Sequence, residues 1–368
     1  MRLMYLSPVS WSSFAQRPHF MMRQLLSNGF DEVVWVDPYP ARLPAWSDLH
    51  RSMKLHDQGT FAEVGINVLK PNFLPIDPLP GGYWLNAHLA HPHITQHLRS
   101  LLSTKEYVLG IGKPSCLAVD LLSSVRGASS FYDAMDDFPQ FHGGLSQKSV
   151  LRNEACITET VQHIFCSSTA LQTKFEPYNH KLRLVKNAFD AQLIPPPQPQ
   201  KRSERPVVGY IGSLGSWFDW DAVCNLAETG KEYDFQLIGP QLVPAPARLP
   251  ANISILPPCR HDEVPRYLAT FAVGLIPFKI SSLTDSVDPV KYYEYRASGI
   301  PIITTKFGQM RYRSKSSGVF FYDSESPKQL LFQALAYTVE QQELATWRTA
   351  NTWSKRIELL SKVLVAAV

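Results

Sequence analysis

The sequence predicts an α/β protein of two Rossmann-like, parallel-sheet domains facing each other across a cleft. Three observations lead there. The chain has 368 residues, which is long for a single hydrophobic core. Short apolar, β-branched runs alternate with helix-length segments, the pattern of parallel strands joined by crossover helices. That alternation stops and restarts around Ala191–Pro206, "AQLIPPPQPQKRSERP". Its prolines, glutamines and basic residues lack apolar periodicity and read as a semi-extended linker.

In chain order, residues 1–190 carry the first set. The strand "RLMYLSP" is followed by the helix-like "QRPHFMMRQLLSNGF" and the strand "EVVWVDP". "YVLGIG", "ASSFYD", "HIFCSS" and "LRLVKN" are further strand candidates, with helical stretches between several of them. After the linker at 191–206, residues 207–345 repeat the scheme: "PVVGYIG", helix, "YDFQLIG", "NISILP", helix, "FAVGLIPF", helix, "IPIITT" and "GVFFY". The chain is then helical to its end. In the last piece, 346–368, Trp353, Ile357, Leu360 and Val363 or Leu364 form one stripe, so this helix docks by an apolar face. Ligands of such sheets bind beyond the carboxyl ends of the strands.

Composition narrows the class. With 45% hydrophobic and 18% charged residues and no run of about 18 apolar residues, the chain is a globular one without a membrane span. "MRLMYLSPVS" lacks the apolar h-region and cleavage site of a signal peptide. The five cysteines are odd in number and show no C-x-x-C pairing, as expected of reduced thiols in a cytosolic protein. A net charge of +4 does not suggest nucleic-acid binding and leaves attraction to an anionic membrane surface open.

The most informative stretch is "DPVKYYEYRASGIPIITT", residues 288–305. Asp288 suits an N-cap, Pro289 the first helical position, and Gly299 the left-handed residue after the helix, before a strand that opens at Pro301. Lys291 does not fit this scheme, since a cation in the first turn opposes the helix dipole. A diphosphate at that N-terminus would reverse the sign, because phosphate, dipole and ammonium attract together. Glu294, three residues on and about 4.5 Å along the axis, matches the step from a nucleotide's phosphate to its ribose hydroxyls. An exposed Lys–Glu pair is the alternative. Val207–Gly230 reads as strand, glycine loop, helix; Gly209, Gly212 and Gly215 are spaced three apart, which is not a dinucleotide fingerprint. Gly212 and Gly215, with Ser213 between them, would still let backbone amides approach a phosphate. A tight turn with no ligand is the plainer reading of that loop alone.

Taken together and in order, these segments resemble the C-terminal donor domain of GT-B glycosyltransferases, in particular bacterial family-4-like enzymes of teichuronic-acid and exopolysaccharide assembly. "GYIGSLGSWFDWD" is similar to their "GY-x-G…W-F-D" segment, and "VDPVKYYEYRASGIPIITT" to "P-x-K-x-x-E-Y-x-A-x-G-x-P-V". "SWSSFAQRPHFMMRQL" resembles their "W…QRP-H" opening, "FYDAMDDF" their "YD-x-x-D", and "RLVKNAFD" their "PNG-x-D". Residues 40–110 resemble nothing nameable. The resemblance implies that Lys291 holds the donor diphosphate, Glu294 the ribose, and Gly212, Ser213 and Gly215 line the diphosphate. It brings the loop Pro258–Arg260 to the base, and a UDP-sugar is expected over a GDP-sugar. Many retaining relatives carry a second glutamate eight residues before the ribose-binding one. Here that position is Ser286, a departure that leans toward inversion.

An inverting transferase needs a general base for the acceptor hydroxyl, and with Lys291 and the helix dipole stabilising the leaving diphosphate no metal or other cofactor is required. Asp133 is the first candidate, near a strand end, and Asp136 the second; an N-cap with solvated loop acids is the alternative. His19 is a candidate acceptor contact or alternative base, and Arg17 a candidate acceptor or phosphate ligand. Ten of the eleven histidines precede the linker, four of them (His88, His91, His93, His97) in "HLAHPHITQH". His93 and His97 have the spacing of a metal pair, but no third ligand accompanies them and none is assigned.

The leading expectation is a glycosyltransferase extending a glycan or a polyprenyl-diphosphate-linked saccharide from a nucleotide sugar, in the cytoplasm, with peripheral contact at the inner face of the membrane left open. A GT-B nucleotide-sugar epimerase and a non-catalytic sugar-nucleotide- or glycan-binding subunit are the alternatives. A nicotinamide oxidoreductase is disfavoured because "SPVSWSSF" after the first strand has no glycine cradle.

Overall fold

The computed structural model describes residues 1–39, 63–90, 92–104, 107–124, 129–197 and 204–366. His91 and linker residues 198–203 lie outside them. The first sheet contains β1 (Arg2–Leu6), β2 (Glu32–Val36), β3 (Ile66–Leu69), β4 (Tyr107–Ile111), β5 (Ser130–Ala134), β6 (His163–Cys166) and β7 (Leu182–Leu184). They pair in the order β3-β2-β1-β4-β5-β6-β7, every pair parallel. The second sheet contains β8 (Val207–Ile211), β9 (Asp234–Ile238), β10 (Ile253–Leu256), β11 (Phe271–Ile276), β12 (Ile302–Thr304) and β13 (Val319–Phe321). Its order is β10-β9-β8-β11-β12-β13, again all parallel.

Each sheet is buried on both faces, which is why its strands read as near-continuous apolar runs. In β1 the alternation is visible: Leu3 and Tyr5 join one core with Trp35, Phe131 and Phe165, while Met4 and Leu6 join the other with Val34, Leu109 and Tyr132. Tyr5 lies beside Gly110 of β4, where a Cβ would come within 2.8 Å of the Tyr5 ring and 2.5 Å of Phe131. The glycine thus makes room for two aromatic rings in one layer. The second sheet uses the same device, with Gly209 facing the Phe271 ring and Gly274 the Tyr295 ring.

The chain forms two compact units, Met1–Val185 with Ile357–Val368, and Lys186–Arg356. Residues that follow Val185 belong to the second core: Phe189 and Ile194 are buried in it, and Arg348 donates to the Ile194 carbonyl at 2.7 Å. The tail consists of two helices, Gln341–Ala350 and Trp353–Ala366. From the latter, Ile357, Leu360 and Leu364 enter the core of the first unit beside Tyr5, Met22 and Trp35. The apolar stripe of the sequence is therefore the buried face. No helix among the described residues is long and apolar enough to cross a membrane.

Asp288 departs from expectation. The helix it precedes spans Val290–Ala297 with Pro289 at the N-cap and no side-chain cap. Instead of capping, the buried Asp288 carboxylate accepts the Asn187 backbone N–H at 2.8 Å and the Tyr293 hydroxyl at 2.9 Å. Gly299 follows the helix at φ +70°, the left-handed position expected of it.

Leu360→Ala empties a fully buried position of the first unit. Denaturant unfolding is expected to show a loss of about 2–4 kcal/mol there, with the second unit's transition unmoved.

Candidate functional site

In the second unit the loops at the carboxyl ends of β8, β9 and β10 and the start of the Val290–Ala297 helix supply the predicted residues. Gly212 follows β8 with φ +147° and donates its N–H to the Ile238 carbonyl at 2.8 Å. A Cβ on Gly212 would lie 2.5 Å from Lys291 Cε and 2.6 Å from Nζ, so the lysine lies directly against the glycine backbone. The ammonium sits 5.3 Å from the Tyr210 ring centroid and 5.7 Å from that of Phe278. It makes no ion pair among the described residues. Burial lowers its pKa, and Glu294 partly offsets this.

Lys291 therefore stands at a helix start whose first turn has no side-chain cap, a half-buried cation with aromatic faces for neighbours. An anion placed there meets the ammonium, the free end of the helix and its dipole together. Ser213 is half-buried in the same loop and its carbonyl accepts the Tyr210 hydroxyl at 2.9 Å. Gly215 has a nearer reason to be glycine, since a Cβ would strike the Trp217 ring at 2.6 Å.

Glu294 is half-buried one turn further along, its side chain unbonded among the described residues. Burial raises its pKa, Asp190 adds to the rise, and Lys291 opposes it. The same charge field reaches Cys259, whose thiol is raised by burial and, in smaller part, by Glu263, Glu294 and Asp262. The Pro258–Arg260 loop thus lies near Glu294. Arg260 itself is turned to solvent and paired with Asp262 at 3.0 Å, while its backbone N–H is capped by Glu263 at 2.8 Å. Its side chain is thus held in an exposed ion pair within the loop.

Ser286 is buried, and its neighbour Asp285 pairs with Arg311. Neither brings a carboxylate to the position of the second glutamate.

In the first unit three expectations are corrected. Asp133 at the end of β5 is fully buried and takes Arg17 Nη2 at 2.8 Å and Nε at 3.0 Å on one oxygen, with the Tyr5 hydroxyl at 3.2 Å on the other. A general base needs a lone pair open to an acceptor hydroxyl, and this carboxylate has none exposed. Arg17 is equally buried and also donates to the Val185 carbonyl at 2.6 Å, so it is a core ion pair and not an acceptor ligand. His19 is buried between the Trp11 and Trp35 rings, at 5.0 and 4.9 Å. Its Nδ1 accepts the Gln16 N–H at 3.2 Å and its Nε2 lies 3.3 Å from the Trp11 carbonyl. Burial, then Arg23, lowers its pKa to about 4, so the neutral ring caps the Arg17–Ser27 helix from inside.

Asp136 differs from these. It is half-buried in the loop after β5, and no donor among the described residues bonds its carboxylate. Burial raises its pKa to about 7, Asp133 and Asp137 adding to the rise and Arg17 opposing it. Asp137 is paired with Lys174 at 2.7 Å, and that lysine also holds Glu154 at 2.6 Å. Asp136 is thus the one of the three acids left unpaired, near the pH where a base works best.

His93 and His97 are both exposed on the Pro92–Leu102 helix, and among the described residues no group of three or more potential metal ligands comes together. Sequence reasoning missed Asp190 beside Glu294 and the Tyr210–Phe278 seat of Lys291. Asp190 stood within the quoted "RLVKNAFD", whereas nothing in spacing joins Tyr210 and Phe278 to a lysine on another element.

Two parallel sheets with interleaved helices, together with the solved structures that match them along the chain, give this protein the α/β two-domain GT-B fold. The chain resembles GT-B glycosyltransferases of bacterial polysaccharide assembly. Over 175 residues it is 27% identical to Bacillus subtilis TuaH, provisionally named a teichuronic acid biosynthesis glycosyltransferase. That match spans 43% of this chain and 44% of the relative, less than half of its length. Sucrose-phosphate synthase of Thermosynechococcus elongatus superposes with a TM-score of 0.65 at 12% identity, covering 99% of this chain and 95% of the other. Anabaena HepE, solved in complex with UDP and glucose, superposes at 0.60 and 13% identity, covering 100% and 96%. No family model matches the chain.

Arg17→Met leaves the Asp133 carboxylate buried without its cation. Chemical denaturation is expected to show a loss of about 3–5 kcal/mol. The raised Asp136 carboxyl holds its proton more tightly folded than unfolded, so stability is lost as pH rises from about 4 toward 7. Asp136→Asn removes that loss: its melting temperature should exceed the parent's at pH 8 and match it near pH 4.

Proposed function

We propose that this protein is a glycosyltransferase that moves a sugar from a nucleoside-diphosphate sugar, UDP-linked by preference, to a hydroxyl of a glycan or lipid-linked saccharide. The observation that carries the reading is Lys291: a half-buried ammonium without an ion-pair partner among the described residues, packed against Gly212 at an uncapped helix start. Such a cation is stabilised by an anion of the size and charge of a diphosphate. Glu294, with a raised pKa and no hydrogen-bond partner among the described residues, accepts the ribose hydroxyls one turn away. UDP in the HepE structure supports uridine as the nucleoside.

Transfer then proceeds by inversion. The acceptor hydroxyl oxygen attacks the anomeric carbon while the bond from that carbon to the diphosphate oxygen breaks, and the diphosphate leaves with the electron pair. Lys291 and the helix dipole stabilise the charge that develops on it, so the step needs no metal. The acceptor proton passes to the carboxylate of Asp136, about half of which is ionised near neutral pH. Ser286 in place of a second glutamate supports inversion. It equally favours one second reading, a subunit that binds nucleotide sugar without transferring it.

The two readings separate in one series. Thermal-shift titration with UDP, GDP, ADP, CMP and NAD is expected to give a selective rise with UDP. Lys291→Ala should weaken that binding by about tenfold to a hundredfold, the size of a lost charge-assisted hydrogen bond. Asp136→Asn should keep UDP binding and lower turnover by about 10²–10⁴-fold in an acceptor assay that reads released UDP. UDP binding with no turnover on any acceptor would favour the binding subunit. No response to any diphosphate would defeat both.

A further inference from the structure

We propose that Lys186, Arg313 and Arg356 of the second unit hold a phosphate-type oxyanion, at a site distinct from that of Lys291. The three come from separate places in the chain: the segment after β7, the loop that follows β12, and the start of the Trp353–Ala366 helix. They nevertheless share one charge field. Burial lowers the Lys186 pKa, Arg313 and more weakly Arg356 add to the fall, and Asp288 alone opposes it. Lys291 stands outside this field, Glu294 being the one charge that reaches it. The Asp288 carboxylate is buried and largely committed. One oxygen accepts the Asn187 backbone N–H at 2.8 Å and the Tyr293 hydroxyl at 2.9 Å. The other lies 3.7 Å from Arg313 Nη2, beyond hydrogen-bond range. Three cations thus face one carboxylate, an excess that a compact, doubly charged anion would balance.

The donors point the same way. Lys186 is half-buried and makes no hydrogen bond or ion pair among the described residues. The Nε–H groups of Arg313 and Arg356 are buried, and neither has a partner there. Both guanidinium groups are otherwise held in place. Arg313 lies over the Tyr292 ring, 4.0 Å from its centroid, and donates from Nη2 to the Tyr293 hydroxyl at 3.2 Å. Arg356 donates from Nη2 to Asn351 Oδ1 at 2.7 Å. Buried donors are nearly always bonded, and like charges brought together destabilise one another. One oxyanion answers both features, taking the spare N–H groups and offsetting the repulsion. A phosphate group has several acceptor oxygens, as donors on three separate elements require, and arginine is suited to it. Lys186 and Arg356 are also the first and last residues of the second unit, so the anion ties both its ends to the Arg313 loop.

This inference stands apart from the transferase reading, because no nucleotide or acceptor enters its test. The test is thermal-shift titration of the full chain carrying Lys291→Ala, which removes the donor-site cation. Inorganic phosphate and glucose 1-phosphate are titrated in parallel, with ionic strength held constant by chloride. Phosphate at about ten times its dissociation constant is expected to raise the melting temperature by about 3 °C or more. Lys186→Gln and Arg356→Gln, each added to that background, should lose most of the rise. Lys186→Gln removes a repelled cation that bonds nothing among the described residues, so without phosphate it should melt at or above its parent. A larger rise with glucose 1-phosphate than with phosphate at equal concentration assigns the site to a phosphorylated saccharide. An equal or smaller one assigns it to the free anion. No rise with either anion, or an equal rise in both variants, overturns the proposal. So does a Lys186→Gln protein that melts well below its parent without phosphate, since the lysine is then a structural one.

Discussion

Asp288 accepts hydrogen bonds from the Asn187 backbone and the Tyr293 hydroxyl, and so does not cap the helix that begins two residues later. Asn187 returns the tie by donating its side-chain amide to the Asp288 carbonyl at 2.6 Å. Much of the second unit's site depends on this pairing. It fixes the segment that carries Asp190 against the start of the Val290–Ala297 helix, and it leaves that helix start without a side-chain partner. An anion-binding terminus needs both conditions, a fixed frame and donors left over.

Two pairs of ionisable groups, one in each unit, follow opposite principles. In the first, a buried pair satisfies itself: Arg17 and Asp133 neutralise each other, and the remaining donors of the guanidinium go to the chain. In the second, Lys291 and Glu294 remain apart, each desolvated and neither bonded to the other. Desolvation without pairing is costly to a fold, and it is the usual signature of a group held ready for a ligand. Asp136 follows the second principle although it lies in the first unit, with neighbouring Asp137 committed to Lys174.

The strand–helix alternation, the tail stripe and the Lys291–Gly299 segment were legible because each is a local pattern, readable within a turn or two of chain. What was not legible was long-range pairing. Asp133 and Asp136 look alike in "FYDAMDDF", and only Arg17, distant in sequence, tells a committed carboxylate from a free one. His19 read as an acceptor contact or alternative base because nothing local announces two tryptophans closing over it. Asp288 misled for the opposite reason: its local fit to a cap was good, and a tertiary partner outbid the helix.

The return of the Trp353–Ala366 helix to the first core has a consequence for synthesis. On the ribosome the first sheet is translated early, but the side chains of Ile357, Leu360 and Leu364 that complete one of its faces are translated only after the whole second unit. At typical elongation rates that face waits on the order of ten to thirty seconds while the whole second unit emerges. The usual order of domain folding is thus reversed at its final step: the later-made unit can close first, and the earlier one is sealed only once Ile357, Leu360 and Leu364 have emerged.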